Sequence, residues 1–185
     1  ERVRVLTTGM GPKNAAAAFS AAVEAERPVW VVTGGIAGGL DPALGTGDGC
    51  FEAAPGFPHA NHLAAMGLTL GTSALVSRVA VTVAEKAQLR AATGARLVDM
   101  ESAVIRQLAR EAGLPSATVR TVSDTASEDL PLDFSALVDA DQQLLPGKLA
   151  WALLRSPGKI PALLRLQRSV GVATNRLATV LAELV

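Results

Sequence analysis

The sequence is poor in the residues on which several common classes of protein depend. Its 185 residues include one cysteine, Cys50, and no tyrosine, and aromatic residues make up only 3%. A single cysteine excludes an internal disulfide framework and a cysteine-based zinc site, so we expect Cys50 to be a buried thiol. Charged residues are also few, at 18%, whereas 49% are hydrophobic. This balance argues against disorder and indicates one compact domain with a real core.

Long apolar runs and a net charge are lacking as well. No run approaches the length of a membrane span and no signal peptide is visible, so we expect a cytoplasmic protein. Because the net charge is zero, we expect no nucleic-acid partner. The charge is uneven, however, since residues 146–185 hold six basic residues against one acid. We therefore divide the chain into a body, residues 1–145, and a basic amphipathic extension, residues 146–185.

Strand-like runs alternate with amphipathic helices along the body. We predict strands at residues 2–8, 28–33, 50–54, 75–83, 96–98 and 116–122. We predict helices at residues 14–25, 59–66, 84–93, 99–112, 132–145 and 148–184, the last interrupted near two prolines. This alternation indicates an α/β fold with a largely parallel sheet. Because residues 2–8 read as an interior strand, we expect further elements before them.

Three segments of the body could hold a ligand, and the first two are a Gly-rich turn and a helix start. Residues 34–39 form a Gly-rich turn that serves either as a structural turn or as a ligand cradle. It is not a Walker-type phosphate loop, because no Gly-Lys-Ser/Thr follows. Met100 and Glu101 begin a predicted helix, whose dipole keeps a carboxylate ionised and able to accept hydrogen bonds from a diol. The alternative for Glu101 is an ordinary acidic first turn.

Asp124 leaves a predicted buried strand at its carboxyl end. Ser123 is placed to hydrogen-bond it, and Arg120 precedes it by four residues. If the strands before Glu101 and Asp124 are parallel, both acids face the crevice in which open α/β sheets bind ligands. The alternative for Asp124 is a helix cap or a turn. His59 and His62 could share a helix face, but with no third ligand in view we expect no metal site.

Together these segments resemble the purine nucleoside phosphorylase and nucleosidase family. The resemblance rests on TGGIAGGL at residues 33–40, VDMES at residues 98–102, VRTVSD at residues 119–124 and TGMGPKNA at residues 8–15. The nearest members in pattern are the methylthioadenosine/S-adenosylhomocysteine nucleosidases. The resemblance implies a single three-layer α/β domain with a central mixed, largely parallel sheet flanked by helices. It also implies an enzyme that cleaves the N-glycosidic bond of a purine nucleoside.

The resemblance gives the second acid and its neighbours a role in releasing the base. Asp124 would protonate purine N7 and so improve a poor leaving group, and an aspartic acid here suits a 6-aminopurine such as adenine. For this task Asp124 must hold its proton near neutrality, which burial favours. Ser123 would help to bind the substrate. Arg120 would lie beside the sugar and the attacking group.

The remaining site residues would contact the sugar. Glu101 would bind the ribose hydroxyls, Met100 would pack on the sugar, and the turn Ile36, Ala37 and Gly38 would line the sugar and the base. The family's water-activating glutamate and its phosphate-binding arginine near the start have no counterpart here, and Thr33 replaces another arginine of phosphorolytic members. Hydrolysis and phosphorolysis therefore both stay open, with phosphate as a possible co-substrate and no other cofactor.

The C-terminal extension has no counterpart in the small methylthioadenosine nucleosidases. Its basic amphipathic pattern predicts either a helix at a membrane surface or a terminal helix packed on the body or on a second subunit. LLRSPGKIPALLRL at residues 153–166 resembles the hopanoid-associated members of the family, which implies removal of adenine from lipid-linked adenosylhopane. The alternatives are a methylthioadenosine/S-adenosylhomocysteine nucleosidase and a nucleoside-binding protein without catalysis. From the family we expect a homodimer.

Overall fold

In the computed structural model, the described part of the chain comprises residues 2–9, 11–76, 78–137 and 145–185. The helices are α1 (Pro12–Ala25), α2 (Ala60–Ala65), α3 (Val83–Thr93), α4 (Ser102–Glu111), α5 (Pro146–Arg155) and α6 (Ile160–Leu184). The strands are β1 (Val31–Gly39), β2 (Gly49–Ala53), β3 (Thr69–Leu70), β4 (Ser73–Leu75), β5 (Leu97–Asp99) and β6 (Ser116–Asp124). Short 3₁₀ turns occupy Phe134–Leu137 and Pro157–Lys159.

The six strands form one curled sheet in the order β3-β2-β6-β1-β5-β4. Its two edge strands, β3 and β4, are joined through Gly71 and Thr72 alone, a link that spans at most about 11 Å. The edges of a flat six-stranded sheet would lie about 24 Å apart. The sheet must therefore curl until its edges approach, and Gly71 N donates to Phe51 O at 3.0 Å while Arg96 N donates to Thr72 O at 3.0 Å.

The sheet is mixed, as the resemblance implies. β6 runs parallel to β1, β3 parallel to β2 and β4 parallel to β5, but β5 is antiparallel to β1 and β2 is antiparallel to β6. The strand before Glu101 is β5 and the strand before Asp124 is β6. Both pair with β1, but β6 is parallel to β1 and β5 is antiparallel to it, so β5 and β6 run in opposite directions. The condition under which both acids would face one crevice, that these two strands are parallel, is therefore not met. Their relation depends on the crossover through α4, which local sequence does not specify.

The strand β6 lies at the centre of the sheet and is buried along its whole length. One face of β6 contacts α6, because Ala117 and Val119 share a core cluster with Val180 and Leu184. The other face of β6 lies inside the curl of the sheet, where Val122 packs in a second core cluster with Ala37, Leu44, Cys50 and Leu97. The last helix therefore completes the core of the body.

The Gly-rich stretch 34–39 is not a turn but the second half of β1. It pairs with β6 on one side and with β5 on the other, so its backbone groups are used in the sheet. Glycine serves here by leaving room, because a Cβ on Gly35 would lie 3.0 Å from Arg120 Nη1 and one on Gly34 would lie 2.8 Å from Leu181 Cδ1. The prediction of a turn followed the usual meaning of glycine runs, but these glycines accommodate side chains of other elements.

Three further predictions differ from the structure. Residues 2–8 lie outside the sheet and expose Val5 to 87%, so the expected strand is absent from this described segment. Among the described residues of the strand predicted at 75–83, only Leu75 is in a strand, and Val83 already belongs to α3. Within the helix predicted at residues 132–145, the described residues form only the 3₁₀ turn Phe134–Leu137. Residues 138–144 lie outside the described part of the chain.

The helices of the extension form as predicted, with an interruption at Pro157 and a second proline, Pro161, in the first turn of α6. The C-terminal half of α6 packs one face against the sheet, whereas α5 exposes Trp151 and Leu154 and the start of α6 exposes Ile160 and Leu164. The division at residue 146 stays a prediction. None of the helices in the described residues combines the length and the apolar character needed to cross a bilayer.

Candidate active site

Asp124 ends β6 at a bulge that turns its side chain away from the interior of the curl. Val122 lies opposite Ala37, but Asp124 lies opposite Gly38, so Ser123 is an extra residue on β6. A bulge of this kind re-aims the side chain that follows it. The Asp124 carboxyl accordingly faces α3, with 11% of its side chain exposed, and a Cβ on Gly38 would lie only 3.3 Å from its Oδ2.

Two donors hold the Asp124 carboxyl. Ser123 Oγ donates to Oδ1 at 2.7 Å, and Lys86 Nζ donates to Oδ2 at 2.7 Å. Lys86 is fully buried. The sequence prediction considered only the burial of Asp124, and the structure places a buried cation beside it as well. Ser123 takes the expected position next to the acid.

The position of Lys86 follows from how α3 begins. Thr82 caps the helix by accepting from Glu85 N at 3.2 Å, and the Glu85 side chain accepts in return from Thr82 N at 3.0 Å. This capping box fixes the first turn, so that Lys86 and Leu89, three residues apart, share the face that looks toward the body. Arg78 and the backbone amides of the cap hold the pKa of Glu85 at about 2, so Glu85 stays ionised.

Arg120 lies inside the curl of the sheet and is 5% exposed. Its Nη1 donates to Val119 O at 3.1 Å and to Thr33 O at 3.3 Å. Its Nε lies 3.5 Å from Asp99 Oδ2, close enough for an ion pair but too far for a good hydrogen bond. Within the described residues Arg120 Nε is a buried donor without a hydrogen-bond partner.

Asp99 compensates the charge of Arg120 and also starts α4. Its Oδ1 accepts from the amides of Glu101 at 3.0 Å and Ser102 at 2.9 Å, and Ser102 Oγ donates to Oδ2. Burial by itself raises the pKa of Asp99, but the Arg120 charge and the Ser102 hydrogen bonds outweigh it and hold that pKa below its usual range. Burial also disfavours the charged form of Arg120 and lowers its pKa, although the nearby negative charges of Asp99 and Glu101 act in the opposite direction and raise it.

Glu101 lies just before α4 and links it to α1. Its Oε1 accepts from Gly11 N at 2.9 Å, the amide that precedes the first residue of α1. The backbone amides at a helix start favour a bound carboxylate, so the Glu101 side chain joins the start of α4 to the start of α1. Met100 beside it is partly buried. The prediction that Glu101 lies at a helix start is confirmed, and its contact with α1 could not be read from the sequence.

The three residues expected to line the sugar and the base lie on a strand and not on a turn. Ile36 is 38% exposed, whereas Ala37 is 5% exposed and packs in the core, so these two neighbours face opposite sides of β1. Gly38 lies between Val98 on β5 and Asp124 on β6. Of the three, Gly38 is therefore the residue in direct contact with Asp124, and Ala37 is directed into the core.

The structure joins most of the predicted residues through β1. Asp124 and Ser123 flank Gly38 on one side, and the β5 segment that leads to Met100 and Glu101 flanks it on the other. Arg120 is coupled electrostatically to Glu101 from inside the curl. Sequence reasoning did not single out Asp99 or Lys86 as site residues. A lysine on the inward face of α3, in step with Leu89, was the available signal for Lys86.

Three other residues examined from the sequence have structural roles. The ring of His59 contacts those of Trp30 and Phe57, with centroids 5.2 and 5.9 Å apart. His62 Nε2 lies 3.2 Å from Glu183 O, which ties α2 to α6. Cys50 is buried, as expected, and burial raises the pKa of its thiol.

Comparison with solved structures supports the fold. A nucleosidase from Neisseria meningitidis, solved with methylthio-immucillin-A, is 20% identical with a TM-score of 0.66, over 96% of this chain and 78% of that one. A nucleosidase from Streptococcus pyogenes, solved with 5-methylthiotubericidin, is 18% identical with a TM-score of 0.65, over 96% and 75% of the two chains. A protein from Weissella paramesenteroides is 22% identical with a TM-score of 0.57.

The chain spans only part of these relatives, reaching 65% of the length of the Weissella protein, just under two thirds. No curated protein sequence gives a significant match. The family model of the phosphorylase superfamily matches residues 60–155, slightly more than half of the chain. This range contains α3 with Lys86, the segment with Glu101, and β6 with Asp124. With this match and the curled mixed sheet, the chain belongs to the phosphorylase superfamily.

Proposed function

We propose that this protein cleaves the N-glycosidic bond of an adenine nucleoside and releases adenine. The observation that carries the proposal is the Asp124 carboxyl, which Ser123 and Lys86 hold at the end of β6 with 11% of its side chain open. Membership of the phosphorylase superfamily and the adenosine analogues bound by the neisserial and streptococcal relatives support the choice of base.

Asp124 is the proposed acid. Breaking the bond between C1′ and N9 leaves its electron pair on the purine, and a proton delivered to N7 neutralises the charge that develops there. Such an acid contributes a factor of about 10² to 10⁴ to the rate. Once the proton has moved, the carboxylate can accept a hydrogen bond from the 6-amino group of adenine, which a 6-oxopurine does not offer.

Glu101, Met100 and Arg120 are the proposed contacts of the sugar. A carboxylate has about four acceptor positions. Glu101 can therefore accept hydrogen bonds from the ribose hydroxyls while its Oε1 still accepts one from Gly11 N. Met100 supplies an apolar surface for the ring. Arg120 has an unused buried donor in Nε, which suits a hydroxyl of the sugar or the oxygen of an attacking water or phosphate.

We propose adenosylhopane, an adenosine with a long apolar 5′ group, as the substrate. The support is the exposed apolar and basic surface of α5 and early α6, which an enzyme for a small polar nucleoside does not need. The alternative substrate is methylthioadenosine or S-adenosylhomocysteine, favoured by the N. meningitidis relative, which bears that nucleosidase name. A nucleoside-binding protein without catalysis is the non-enzymatic alternative.

One assay distinguishes these functions. The purified full-length protein is incubated with adenosines that carry a 5′-methylthio, a 5′-homocysteinyl or a long 5′-alkyl group, with and without phosphate, and free adenine is quantified. We expect release with the highest kcat/KM for the long alkyl group. Release that needs phosphate identifies a phosphorylase, and release without it a nucleosidase. A preference for 5′-methylthioadenosine contradicts adenosylhopane, and tight binding without release contradicts enzymatic function.

We also propose that α5 and the start of α6 contact an anionic membrane surface. Trp151, Leu154, Ile160 and Leu164 are 55%, 81%, 44% and 50% exposed. Exposed cations lie between them, and no acid occurs from residue 146 to residue 182. Exposed apolar side chains interleaved with cations are typical of helices that lie in a bilayer interface, where each cation near an anionic surface contributes about 1 kcal/mol.

We expect a Trp151→Ser/Leu154→Ser variant to lose about tenfold or more of its partitioning into anionic vesicles, because two large apolar side chains no longer enter the interface. Cosedimentation with anionic and neutral vesicles measures this partitioning. The matched control is Leu70→Ser, which changes an apolar residue that is 67% exposed on β3.

The homodimer proposed from the family is measured by sedimentation equilibrium. Two results together would show that a second copy of the chain covers this face: the parent protein does not bind anionic vesicles, and the double variant is a monomer where the parent protein is a dimer.

A further inference from the structure

Lys86 has no exposed side-chain surface and its ammonium group is saturated with acceptors. Its Nζ donates to Asp124 Oδ2 at 2.7 Å, to Thr125 O at 2.7 Å and to Glu128 O at 2.8 Å. An ammonium group has three donors, so these three contacts use all of them. A buried charge is tolerated only when it is paired and hydrogen-bonded in this way. Lys86 therefore has one charged partner, Asp124, and two neutral ones.

The other oxygen of the Asp124 carboxyl is held as well. Ser123 Oγ donates to Oδ1 at 2.7 Å and also lies 3.2 Å from Ala37 O. With one donor on each oxygen, from α3 and from β6 itself, the plane of the carboxyl is fixed. A group transfers a proton efficiently only when it is held within hydrogen-bond reach of the accepting atom, so this fixation has a direct use in the proposed reaction.

The charged groups nearest to this pair in the following segment have other partners. The Glu128 side chain accepts from Thr125 N at 3.0 Å and from Thr125 Oγ1 at 2.8 Å. These hydrogen bonds lower the pKa of Glu128, with smaller contributions from the charges of Lys86 and Arg165. Glu128 is thus an anion turned toward its own loop, and Arg165 of α6 acts on Glu128.

The strands packed against Asp124 bring no further charge into contact with it. Gly38 of β1 has no side chain, and the neighbouring residue of β5 is Val98. Asp99, the next residue of β5, is paired with Arg120 inside the curl. Within the described residues Lys86 is therefore the ionic group in direct contact with Asp124.

We propose that Lys86 is a positioning residue for Asp124, which it orients toward the base and whose ionised form it stabilises. The proton-transfer part of this inference rests on the proposed function. In that reaction the proton moves from the Asp124 carboxyl to purine N7, the electron pair of the glycosidic bond moves to the purine, an oxygen of water or phosphate bonds to C1′, and the Asp124 carboxylate remains. Lys86 faces this carboxylate at 2.7 Å, so its charge stabilises the transition state in which the proton departs.

Two substitutions separate orientation from charge. Lys86→Gln keeps an amide donor and removes the charge, whereas Lys86→Met removes both. Arg90→Gln is the matched control, because Arg90 lies on the same helix and pairs with Asp41 at 2.8 Å, away from Asp124. The first readout is the ¹³C titration of the Asp124 carboxyl, assigned with Asp124→Asn. The second is the pH profile of kcat and KM for adenine release.

In Lys86→Gln we expect the Asp124 titration midpoint to rise by about one to three pH units, because the compensating cation is lost. The descending limb of the kcat profile moves to higher pH with it, kcat falls about tenfold or more, and KM changes little. Lys86→Met shows the same shift with a larger loss of kcat. Arg90→Gln shows neither change.

An unchanged midpoint in Lys86→Gln overturns the inference, and so does a uniform loss of activity that follows only a lower Tm, since a purely structural clamp would act in that way. Should Lys86→Met fail to fold, the Gln variant decides the question. If the parent protein releases no adenine, the proposed function fails, but the carboxyl titration still decides whether Lys86 controls Asp124.

Discussion

Asp124→Asn lowers the rate of adenine release by about 10²- to 10⁴-fold, because an amide N–H is far too weak an acid to transfer its proton to purine N7. The loss should appear in kcat, since the contacts proposed for the sugar are unaffected. The amide oxygen can still accept from Lys86, while the new NH₂ group donates to Ser123 Oγ, whose own proton can be given to Ala37 O, so the local fold persists. The measurement is the single-turnover release of adenine by the folded variant, at a temperature below its unfolding transition.

The control for this prediction is Asp129→Asn. Asp129 lies in the segment after β6 and its Oδ1 accepts from Val83 N at 2.7 Å, a hydrogen bond that the carbonyl of an asparagine can keep. We expect this variant to release adenine at the rate of the parent protein. Full activity in Asp124→Asn would remove Asp124 from the chemistry and leave Ser123 and Lys86 as parts of a structural loop anchor.

Arg120→Met lowers the free energy of unfolding by about 3–5 kcal/mol, because it leaves the buried Asp99 carboxylate without its cation. The side chains of Arg120 and Asp99 are 5% and 3% exposed, so water cannot replace the lost charge. Urea unfolding at neutral pH measures the effect. Arg110→Met, on the exposed face of α4, is the control and should change stability by less than about 0.5 kcal/mol.

The effect of Arg120→Met depends on pH with a defined sign. The pKa of Asp99 is lower in the folded chain than the ordinary aspartate value of 3.8, so its stabilising contribution is complete above that ordinary value and is lost as the pH falls through the folded value. Without Arg120, burial raises the pKa of Asp99, and protonation then relieves the unpaired charge. The difference between the two proteins should therefore be largest above about pH 5 and shrink in acid.

A second substitution tests whether the pair is the cause. Asp99→Asn combined with Arg120→Met removes both charges, so the combined loss should be smaller than the sum of the two single losses. Strict additivity would mean that Arg120 stabilises the sheet through its packing and its hydrogen bonds to Thr33 and Val119, and not through Asp99.

The elements with strong local signals were predicted well. Pro12 occupies the first turn of α1, and β6 and α4 follow their apolar patterns to within a few residues. Gly113 takes a positive φ of 66° just after α4, where a helix end needs it. The local signals failed for residues 34–39. A run of glycines looks the same in the sequence whether it forms a turn or a strand that leaves room for the side chains of Arg120 and Leu181.

The residue types and their spacing alone therefore determined the α/β class, the resemblance to nucleoside phosphorylases and the choice of Glu101 and Asp124. Only the tertiary structure decided that β5 is antiparallel to β1 and that a bulge at Ser123 turns Asp124 toward α3. It also decided that Lys86 forms an ion pair with Asp124. The physical reason is distance along the chain. Lys86 and Asp124 are 38 residues apart, and no local pattern records which buried cation will compensate which buried anion.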